Sequence, residues 1–451
     1  MSKELTEFLA AHPDVQTIEL LTTDLNGMVR GKRTERDTIR KVYRDGFSLP
    51  GSVYALDATG TTVESTGLGV DTGDADRICR PVPGSLTMVP WLEGRAQALV
   101  TMFETDGVTP FPSDPRQVLT RINERFNRLG YTAVVAVELE FYLVDRERDA
   151  WNRLQPPVSP TTGRRMNTTQ VYSMDDLDDY DAFIQEALRM AREQNLPADG
   201  VIAEYAPGQF EVNLHHCNNP LDAADHAIML KRIIRHAARE FGLEATFMAK
   251  PYIDQAGSGT HIHLSLLDSE GNNIFSADDP EQHPPLRHAI GGLLKTADLT
   301  QALTFPTINS YRRLSSEIYA PNSKTWGYDN RTVAMRIPSG GRAAYRVEHR
   351  LAGADANPYL AVAAVLAGVQ HGLENKIEPG PAVVGNAYDQ DHETLADNPR
   401  DALRTFENST WVRETFGAEF TDVYAACKWG ETRLFEQQIT PMELDLLLPY
   451  V

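Results

Sequence analysis

The stretch VVAVELEFYLV, residues 134–144, decides the fold of this chain. Its β-branched and apolar residues predict a strand, and the side chains of a strand alternate between two faces. Glu138 and Glu140 therefore share one face, while Val137 and Leu139 line the other. Carboxylates are costly to remove from water unless cations neutralise them. The stretch predicts a half-buried strand that carries an acidic site.

Other short extended segments offer more acidic residues and a histidine on matching faces. They are Glu204 and Glu211 in EYAPGQFEVNL, His261 with His263 and Ser265 in GSGTHIHLSL, and Glu348 with Arg346 and Arg350 in YRVEHRL. Oxygen-rich ligand sets with one histidine suit Mg²⁺ or Mn²⁺ better than structural zinc. Several carboxylates in one funnel can hold more than one cation, and such clusters commonly neutralise nucleotide phosphates.

Arginines complete this pattern. Arg313 lies in NSYRRL, and Arg331 and Arg336 lie in NRTVAMRIP. Guanidinium groups clamp carboxylates and phosphates through two hydrogen bonds. Metals, arginines and a nearby Ser/His strand together suggest phosphoryl transfer onto a carboxylate. The sequence has neither a Walker A loop nor a kinase glycine loop, so the nucleotide must be held in another way.

Composition limits the class of protein. The 451 residues exceed what one core usually holds, which favours two domains. The formal net charge of −20 argues against nucleic acid and anionic membranes as partners. The three cysteines are far apart and form no CxxC, which favours reduced thiols. With no signal-peptide pattern and no apolar run long enough for a bilayer, we expect a cytoplasmic protein.

The order of patterns along the chain predicts its organisation. TIELLTTDLNGMVRGKR predicts a hairpin that turns at Asn26-Gly27. PFPSDPRQVL predicts the start of a helix with Ser113 as its N-cap, and we place the domain boundary just before it, giving domains 1–110 and 111–451. Beyond it, strand patterns alternate with helical ones.

Taken together, seven segments resemble the type I glutamine synthetase superfamily along nearly the whole chain. These segments are DLNGMVRGK, VELEFYLVD, EYAPGQFE, GSGTHIHLSL, PTINSYRRL, NRTVAMRIP and RVEHRLAGADANPYL. The resemblance implies an α+β fold: a small β-grasp-like N-terminal domain and a catalytic domain built on an antiparallel sheet with flanking helices. It also implies a homo-oligomeric ring, a hexamer or a dodecamer, whose active sites lie between subunits. Each site would then borrow N-terminal-domain residues from the next subunit.

The resemblance also implies a role for each matching residue. The metal site near the acceptor would use Glu140, Glu204 and Glu211, and the one near the nucleotide phosphates would use Glu138, His261 and Glu348. Glutamate would contact Arg313, Arg350 and Gly257; ATP would contact His263, Ser265, Arg336 and Arg346; and Arg331 would lie near the transferred phosphoryl group. The implied substrates are ATP and glutamate, with two or more Mg²⁺ (or Mn²⁺) ions per site. ATP would phosphorylate the glutamate side chain, and an amine would then displace phosphate.

Three positions depart from the ammonia-using members of the family. Pro50 stands where they carry an ammonium-binding aspartate, Tyr319 where they carry a glutamate before Ala-Pro, and Ala256 where they carry an asparagine. A small cation needs nearby anions to be captured and deprotonated, whereas an apolar, aromatic wall suits an organic amine. The chain is thus similar to the γ-glutamylamine and γ-glutamylpolyamine synthetases. Glu317 is then a candidate proton acceptor, and Asp57 a candidate partner for a distal ammonium group.

Two alternatives stay open at this point. One is an ammonia-dependent glutamine synthetase, which Pro50 and Tyr319 disfavour. The other is a non-catalytic ring of the same fold, which the intact set of like-charged ligands disfavours. Tyr388 stands where the family carries a tyrosine that is modified for control, but its flanking residues differ, so we expect an ordinary surface tyrosine.

Overall fold

The computed structural model describes residues 2–168, 170–279, 282–315 and 319–451. Its strands are β1 Thr17–Thr23, β2 Val29–Glu35, β3 Phe47–Pro50, β4 Asp76–Pro81, β5 Thr87–Met88, β6 Arg95–Phe103, β7 Thr132–Asp145, β8 Ala198–Ala203, β9 Gln209–Leu214, β10 Leu243–Thr246, β11 Thr260–Leu267, β12 Trp326–Tyr328, β13 Met335–Ile337 and β14 Val347–His349. Its α-helices are α1 Lys3–Ala11, α2 Arg36–Asp45, α3 Pro115–Arg128, α4 Met174–Asp179, α5 Asp181–Glu193, α6 Pro220–Glu240, α7 Pro284–Thr296, α8 Gln301–Thr304, α9 Ile308–Tyr311, α10 Pro358–Asn375, α11 Pro399–Asn408, α12 Thr410–Phe416, α13 Ala418–Glu436 and α14 Pro441–Leu447. Glu317, the candidate proton acceptor, lies outside the described residues.

The first six strands form one sheet in the order β2-β1-β6-β4-β3, with β5 beside β6. The predicted hairpin is confirmed: β1 and β2 pair antiparallel from Thr17 opposite Glu35 to Thr23 opposite Val29. Its turn needs Gly27, whose φ of 74° is in the left-handed region that other residues rarely adopt. Strands β1 and β6 run parallel. Their inward side chains, such as Ile18 and Leu20, share a core with residues of α1 and α2.

The other eight strands form a second sheet in the order β12-β13-β14-β11-β7-β9-β8, with β10 beside β7. All its pairs are antiparallel except β12 with β13. The predicted strand around the two glutamates is the long central strand β7. Glu138 lies opposite His261 of β11, and Glu140 lies opposite Glu211 of β9. Directly opposed residues of antiparallel strands project from the same face, so pairing alone gathers the acidic groups.

The other face of this sheet packs on helices. Val137, Leu139 and Phe141 are no more than 1% exposed and share one core with apolar residues of α3, α6 and α10. Helix α10 is buried along most of its length. The predicted strand polarity is therefore confirmed: the apolar face anchors the sheet and leaves the acidic face for a site.

The predicted N-cap of α3 was wrong by one residue. Asp114, not Ser113, caps this helix, and its carboxylate accepts the N–H of Arg116 at 2.8 Å. The same carboxylate accepts hydrogen bonds from Thr101 and Met102. Proline is favoured at the first helical position, so Pro115 sets the cap at the residue before it.

The α+β fold class is confirmed, and helices α6 and α10 contact the N-terminal sheet. The side chain of Arg232 on α6 contacts Glu19 and Gln97 of the N-terminal sheet. Asn357 at the start of α10 donates to the Asp24 carbonyl at 2.8 Å. The boundary at residue 110 stays a prediction.

Of the helices described, none combines the length and the apolar character that crossing a bilayer would require.

Candidate functional site

One cavity of about 450 Å³ opens on the acidic face of the second sheet. It gathers most of the residues predicted for the site: Glu138, Glu140, Glu204, Glu211, Ala256, Gly257, His261, His263, Arg313, Tyr319, Arg331, Arg336, Arg346, Glu348 and Arg350. Ser265 lies farther along β11 and Pro50 ends β3, and neither is among the described residues that line this cavity.

Three carboxylates meet at one end of the cavity. Oxygen atoms of Glu140, Glu204 and Glu211 lie within 4.8 Å of one another. Burial, and then the nearby carboxylates, raise the pKa of Glu204 to about 8 and that of Glu211 to about 9. Glu140 accepts the Gly259 N–H at 2.6 Å, which fixes its position. These three groups are the predicted acceptor-side metal ligands, and their mutual repulsion calls for a cation.

Glu138 lies between two histidines in the middle of the site. Its carboxylate oxygens are 3.1 Å from His261 Nδ1 and 2.8 Å from His263 Nε2. Burial opposes ionisation, but hydrogen bonds from both histidines outweigh it and hold the pKa of Glu138 well below its usual range. Its neighbours form two possible ligand groups, one with His263 and Glu348 and one with Glu211 and His261. The predicted nucleotide-side ligands were Glu138, His261 and Glu348. In the structure Glu138 belongs to both groups, while His261 and Glu348 fall in different ones, and His263 is an additional candidate ligand.

Arginines surround Glu348 at the other end. Arg336 donates to it at 2.8 Å, and Arg350 makes a second ion pair with it. Burial raises the pKa of Glu348, but Arg350 and the histidines outweigh this effect and lower it to about 2. Arg346 donates to His263 Nδ1 at 3.1 Å. The predicted nucleotide-side residues thus form one connected network of charges.

The predicted glutamate contacts lie together beside the acidic cluster. Arg313 is buried and donates to the Leu351 carbonyl at 2.7 Å. A Cβ atom on Gly257 would come within 2.7 Å of Arg313 Cγ, so only glycine fits without displacing that arginine. Gln209 donates to the Gly257 carbonyl at 3.0 Å. Sequence reasoning missed Gln209, although it lies inside the EYAPGQFE segment.

Aromatic residues form an exposed rim of the cavity. Tyr319 and Tyr172 are 54% and 61% exposed, and both have positive φ, 51° and 60°. Such backbone angles are uncommon for large residues and often occur at functional sites. Val171 and Tyr205 extend the same wall. Sequence reasoning found Tyr319 through its departure from the family pattern but missed Tyr172, which lies in an irregular segment without a motif.

The structure corrects the expected surface position of Tyr388 and limits the hydrogen-bonding capacity left to Asp57. Tyr388 is only half-buried, but its hydroxyl is fully buried, so it is not an ordinary surface tyrosine. The side-chain amide of Asn330 holds its loop by donating to the carbonyls of Val383 and Gly385. The carboxylate of Asp57 accepts hydrogen bonds from Thr59 and Thr61 in its own turn, which occupies one of its oxygens.

Comparisons with known proteins agree with this geometry. Residues 112–447 match the family described as glutamine synthetase, catalytic domain. The chain is 44% identical over 448 residues to the γ-glutamylputrescine synthetase PuuA of Escherichia coli K12, covering 99% of this chain and 94% of that protein. It is 31% identical over 462 residues to a glutamate–isopropylamine ligase of a Pseudomonas species, covering 99% and 98% of the two proteins.

A solved structure is also similar over the whole chain. The complex of GmaS with ADP superposes with a TM-score of 0.86 at 28% identity, covering 99% of this chain and all of that one. Family match, relatives and fold agree with the resemblance that the sequence motifs carry. The chain therefore belongs to the glutamine synthetase family, within its γ-glutamylamine ligase branch.

Proposed function

We propose that this cavity joins the γ-carboxylate of glutamate to the nitrogen of an organic amine, at the expense of ATP. In the first step the carboxylate attacks the terminal phosphorus of ATP, releasing ADP and forming γ-glutamyl phosphate. In the second step the amine displaces phosphate and loses a proton. The single observation that carries the proposal is the cavity itself, where an acidic cluster, an arginine network and an aromatic rim meet.

The buried acids support a site for divalent cations. Glu140, Glu204 and Glu211 would hold one cation, and Glu138 with the histidines and Glu348 would hold at least one more. Bound Mg²⁺ or Mn²⁺ would neutralise these groups and the phosphates of ATP. Arg313 and Arg350 would hold glutamate, while Arg336 and Arg346 would bind the nucleotide and Arg331 the phosphoryl group.

Cation binding should release protons from this cluster. Because the pKa values of Glu204 and Glu211 are raised to about 8 and about 9, both carboxyls are largely protonated at pH 7 without metal. Metal ligands must be deprotonated. We expect Mg²⁺ binding at pH 7 to release between one and two protons per chain, and fewer above pH 9.

Calorimetric titration of metal-free protein in buffers of different ionisation enthalpy measures this number. The Glu211→Gln variant, which lacks one of the two acids, should release about one proton fewer than the wild type. Equal heats in all buffers would contradict protonation of the cluster.

The aromatic rim supports an amine with a carbon body. Tyr319 and Tyr172 offer faces that can bind alkyl groups and, by cation–π attraction, an ammonium group. An aliphatic diamine fits best, because its reacting nitrogen would reach the acids while its distal ammonium would meet the rim. The name of the relative from Escherichia coli, a γ-glutamylputrescine synthetase, supports the same class.

Phosphate release from ATP, measured with Mg²⁺ and glutamate, tests the function directly. Putrescine, spermidine, short alkylamines, phenylethylamine and ammonium are compared at equal concentration. We expect putrescine to drive release at least tenfold better than ammonium. Release mainly with ammonium would make the chain a glutamine synthetase. No release with any amine would favour the non-catalytic ring or an acid acceptor other than glutamate.

Two observations support the ring assembly. Helix α14 and the residues after it expose apolar side chains at the C-terminal end: Met442, Leu444, Leu446, Leu447, Leu448, Tyr450 and Val451. Many exposed apolar side chains in one short segment are typical of a surface that contacts another chain. Pro50 is not among the described residues that line the cavity of its own chain, so its predicted role beside the amine requires the cavity of a neighbouring subunit. Sedimentation of the purified protein measures the assembly.

A further inference from the structure

A second cavity, of about 620 Å³, lies between strand β2 and helix α6. Among the described residues that line it, seven are lysines or arginines and one, Glu19, is acidic. This groove and the active-site cavity share no lining residue in the part of the chain that the structure describes. The excess of positive charge is local, because the chain as a whole has a net charge of −20.

The single carboxylate of the groove is already engaged. Glu19 pairs with Arg33 at 2.9 Å and also with Arg232. Farther along α6, the Arg235 guanidinium lies over the Phe247 ring at 5.0 Å, and Arg239 is exposed. Neither of these two arginines has an ion pair with a described acidic residue. The helical spacing of four residues places both on one face of α6, toward the groove.

Like charges in the groove act on one another. Lys231 is buried at its floor and donates to the carbonyls of Ala354 and Ala356. Burial, and then Arg235, lower the pKa of Lys231 to about 7. Burial, followed by Arg239 and Arg232, lowers the pKa of His236 to about 4. Positive groups that lower one another's pKa in this way would be stabilised in their charged forms by an anion between them.

We propose that this groove binds a small polyanion, a compound with two or more phosphate or carboxylate groups. Its volume lies within the range of small-ligand sites, roughly 300–1,000 Å³. Several arginines and a lysine in one concave surface can contact more than one anionic group at once. The proposal is independent of the reaction proposed for the other cavity.

The groove is joined to the loop behind the glutamate site. The carbonyls that Lys231 contacts follow Leu351, whose own carbonyl accepts from Arg313. Asp355 in the same loop accepts hydrogen bonds from Thr307 and Ser310 at the start of α9. An anion bound near Lys231 would therefore act on a segment that also positions Arg313, which fits an effector better than a substrate.

Binding of tripolyphosphate and of citrate to the whole protein tests the proposal. Calorimetry in Mg²⁺-free buffer of low ionic strength compares the wild type with the double variant Arg235→Gln/Arg239→Gln. A charge-matched control, Arg128→Gln/Arg404→Gln, removes two exposed arginines from other helices. Because the active site is intact in all three proteins, the difference between them isolates the groove.

We expect the wild type and the control to bind one more equivalent of at least one probe per chain than the groove variant, or to bind it at least tenfold more tightly. The affinity should fall as salt is added. The better probe identifies phosphate or carboxylate as the natural group. Equal binding by all three proteins would overturn the proposal. So would unchanged binding with an altered sedimentation coefficient of the groove variant, which would assign the groove to contact between copies.

Ligase activity without either probe shows whether the double variant is folded. If it is not, the single charge reversal Arg239→Glu, on an exposed side chain, serves instead. That variant should weaken binding of the same probe at least tenfold, and unchanged binding would again overturn the proposal.

Discussion

Replacing Glu211 with glutamine should lower ligase activity by about 10³-fold, through the loss of one charged metal ligand and the weaker stabilisation of the transferring phosphoryl group. Glu211 lies within 4.8 Å of both Glu140 and Glu204, and it also belongs to the group around Glu138 and His261. It is thus a shared ligand of two candidate cation positions. A glutamine side chain has the shape of the Glu211 side chain and can still form hydrogen bonds, but it cannot supply the negative charge.

The same substitution should not destabilise the metal-free protein. The pKa of Glu211 is raised from its usual value of 4.5 to about 9. Between these two pH values the group is ionised in the unfolded chain but protonated in the folded chain. Stability contributed by this site therefore falls as pH rises through that interval. Glutamine removes this pH dependence. At pH 8 with chelator, the variant should unfold at a temperature no lower than that of the wild type.

Turnover with the best amine, together with thermal unfolding with and without Mg²⁺, checks both expectations. Glu270→Gln is the control, since Glu270 is exposed in the loop after β11 and should leave both measurements unchanged. Activity of the Glu211 variant within tenfold of the wild type would contradict its role as a ligand. Loss of activity together with a large loss of stability would mean that the fold, and not the metal site, depends on Glu211.

Much of the site could be predicted because strand periodicity has a fixed geometry. The alternation around Glu138 and Glu140 gave the acidic face, and antiparallel pairing then placed His261 and Glu211 opposite them. No periodicity gives distances between strands that are far apart in sequence. The sequence placed Arg350 beside Glu348 in one segment, but it did not show that Arg336 also pairs with Glu348, or that His263 lies among the candidate ligands.

Features that depend on tertiary contacts were the ones that sequence reasoning missed or misplaced. Tyr172 has a positive φ and reaches the rim because its N–H bonds to the Ala203 carbonyl, a contact that no local pattern announces. The Tyr388 hydroxyl is buried, and the preceding part of its loop is bonded to Asn330, which is remote in sequence. The basic groove was not predicted either, because its arginines come from β2 and α6, which are far apart in the sequence. Tertiary contacts decide all three features.

Replacing Tyr319 with glutamate should shift amine preference by about 10²-fold toward ammonium. The tyrosine offers a large apolar face at the rim, and losing it removes burial of the carbon body of an organic amine, about 1–3 kcal/mol. By the family resemblance, the new carboxylate would stand where ammonia-using members carry theirs. It would attract ammonium and accept its proton.

The ratio of kcat/KM for putrescine to that for ammonium measures the shift. Tyr319→Phe is the matched control, because it keeps the ring and removes only the hydroxyl. All three side chains carry a Cβ at the same positive φ, so the backbone cost is the same in each protein. The phenylalanine variant should stay within about fivefold of the wild-type ratio. An equal shift in both variants would assign the selectivity to the hydroxyl instead of the aromatic face.

Ammonium use should remain incomplete in the single variant, because the second anion of the ammonia site is also missing at Pro50. Pro50 does not line the cavity of its own chain, so its effect depends on the next subunit of the proposed ring. Pro50→Asp alone should change the ratio little, while Pro50→Asp combined with Tyr319→Glu should shift it further than the product of the single effects. Such non-additivity is expected only of groups that act on the same ligand. Strict additivity would mean that the two positions never meet in one site, and would contradict the placement of the active site between subunits.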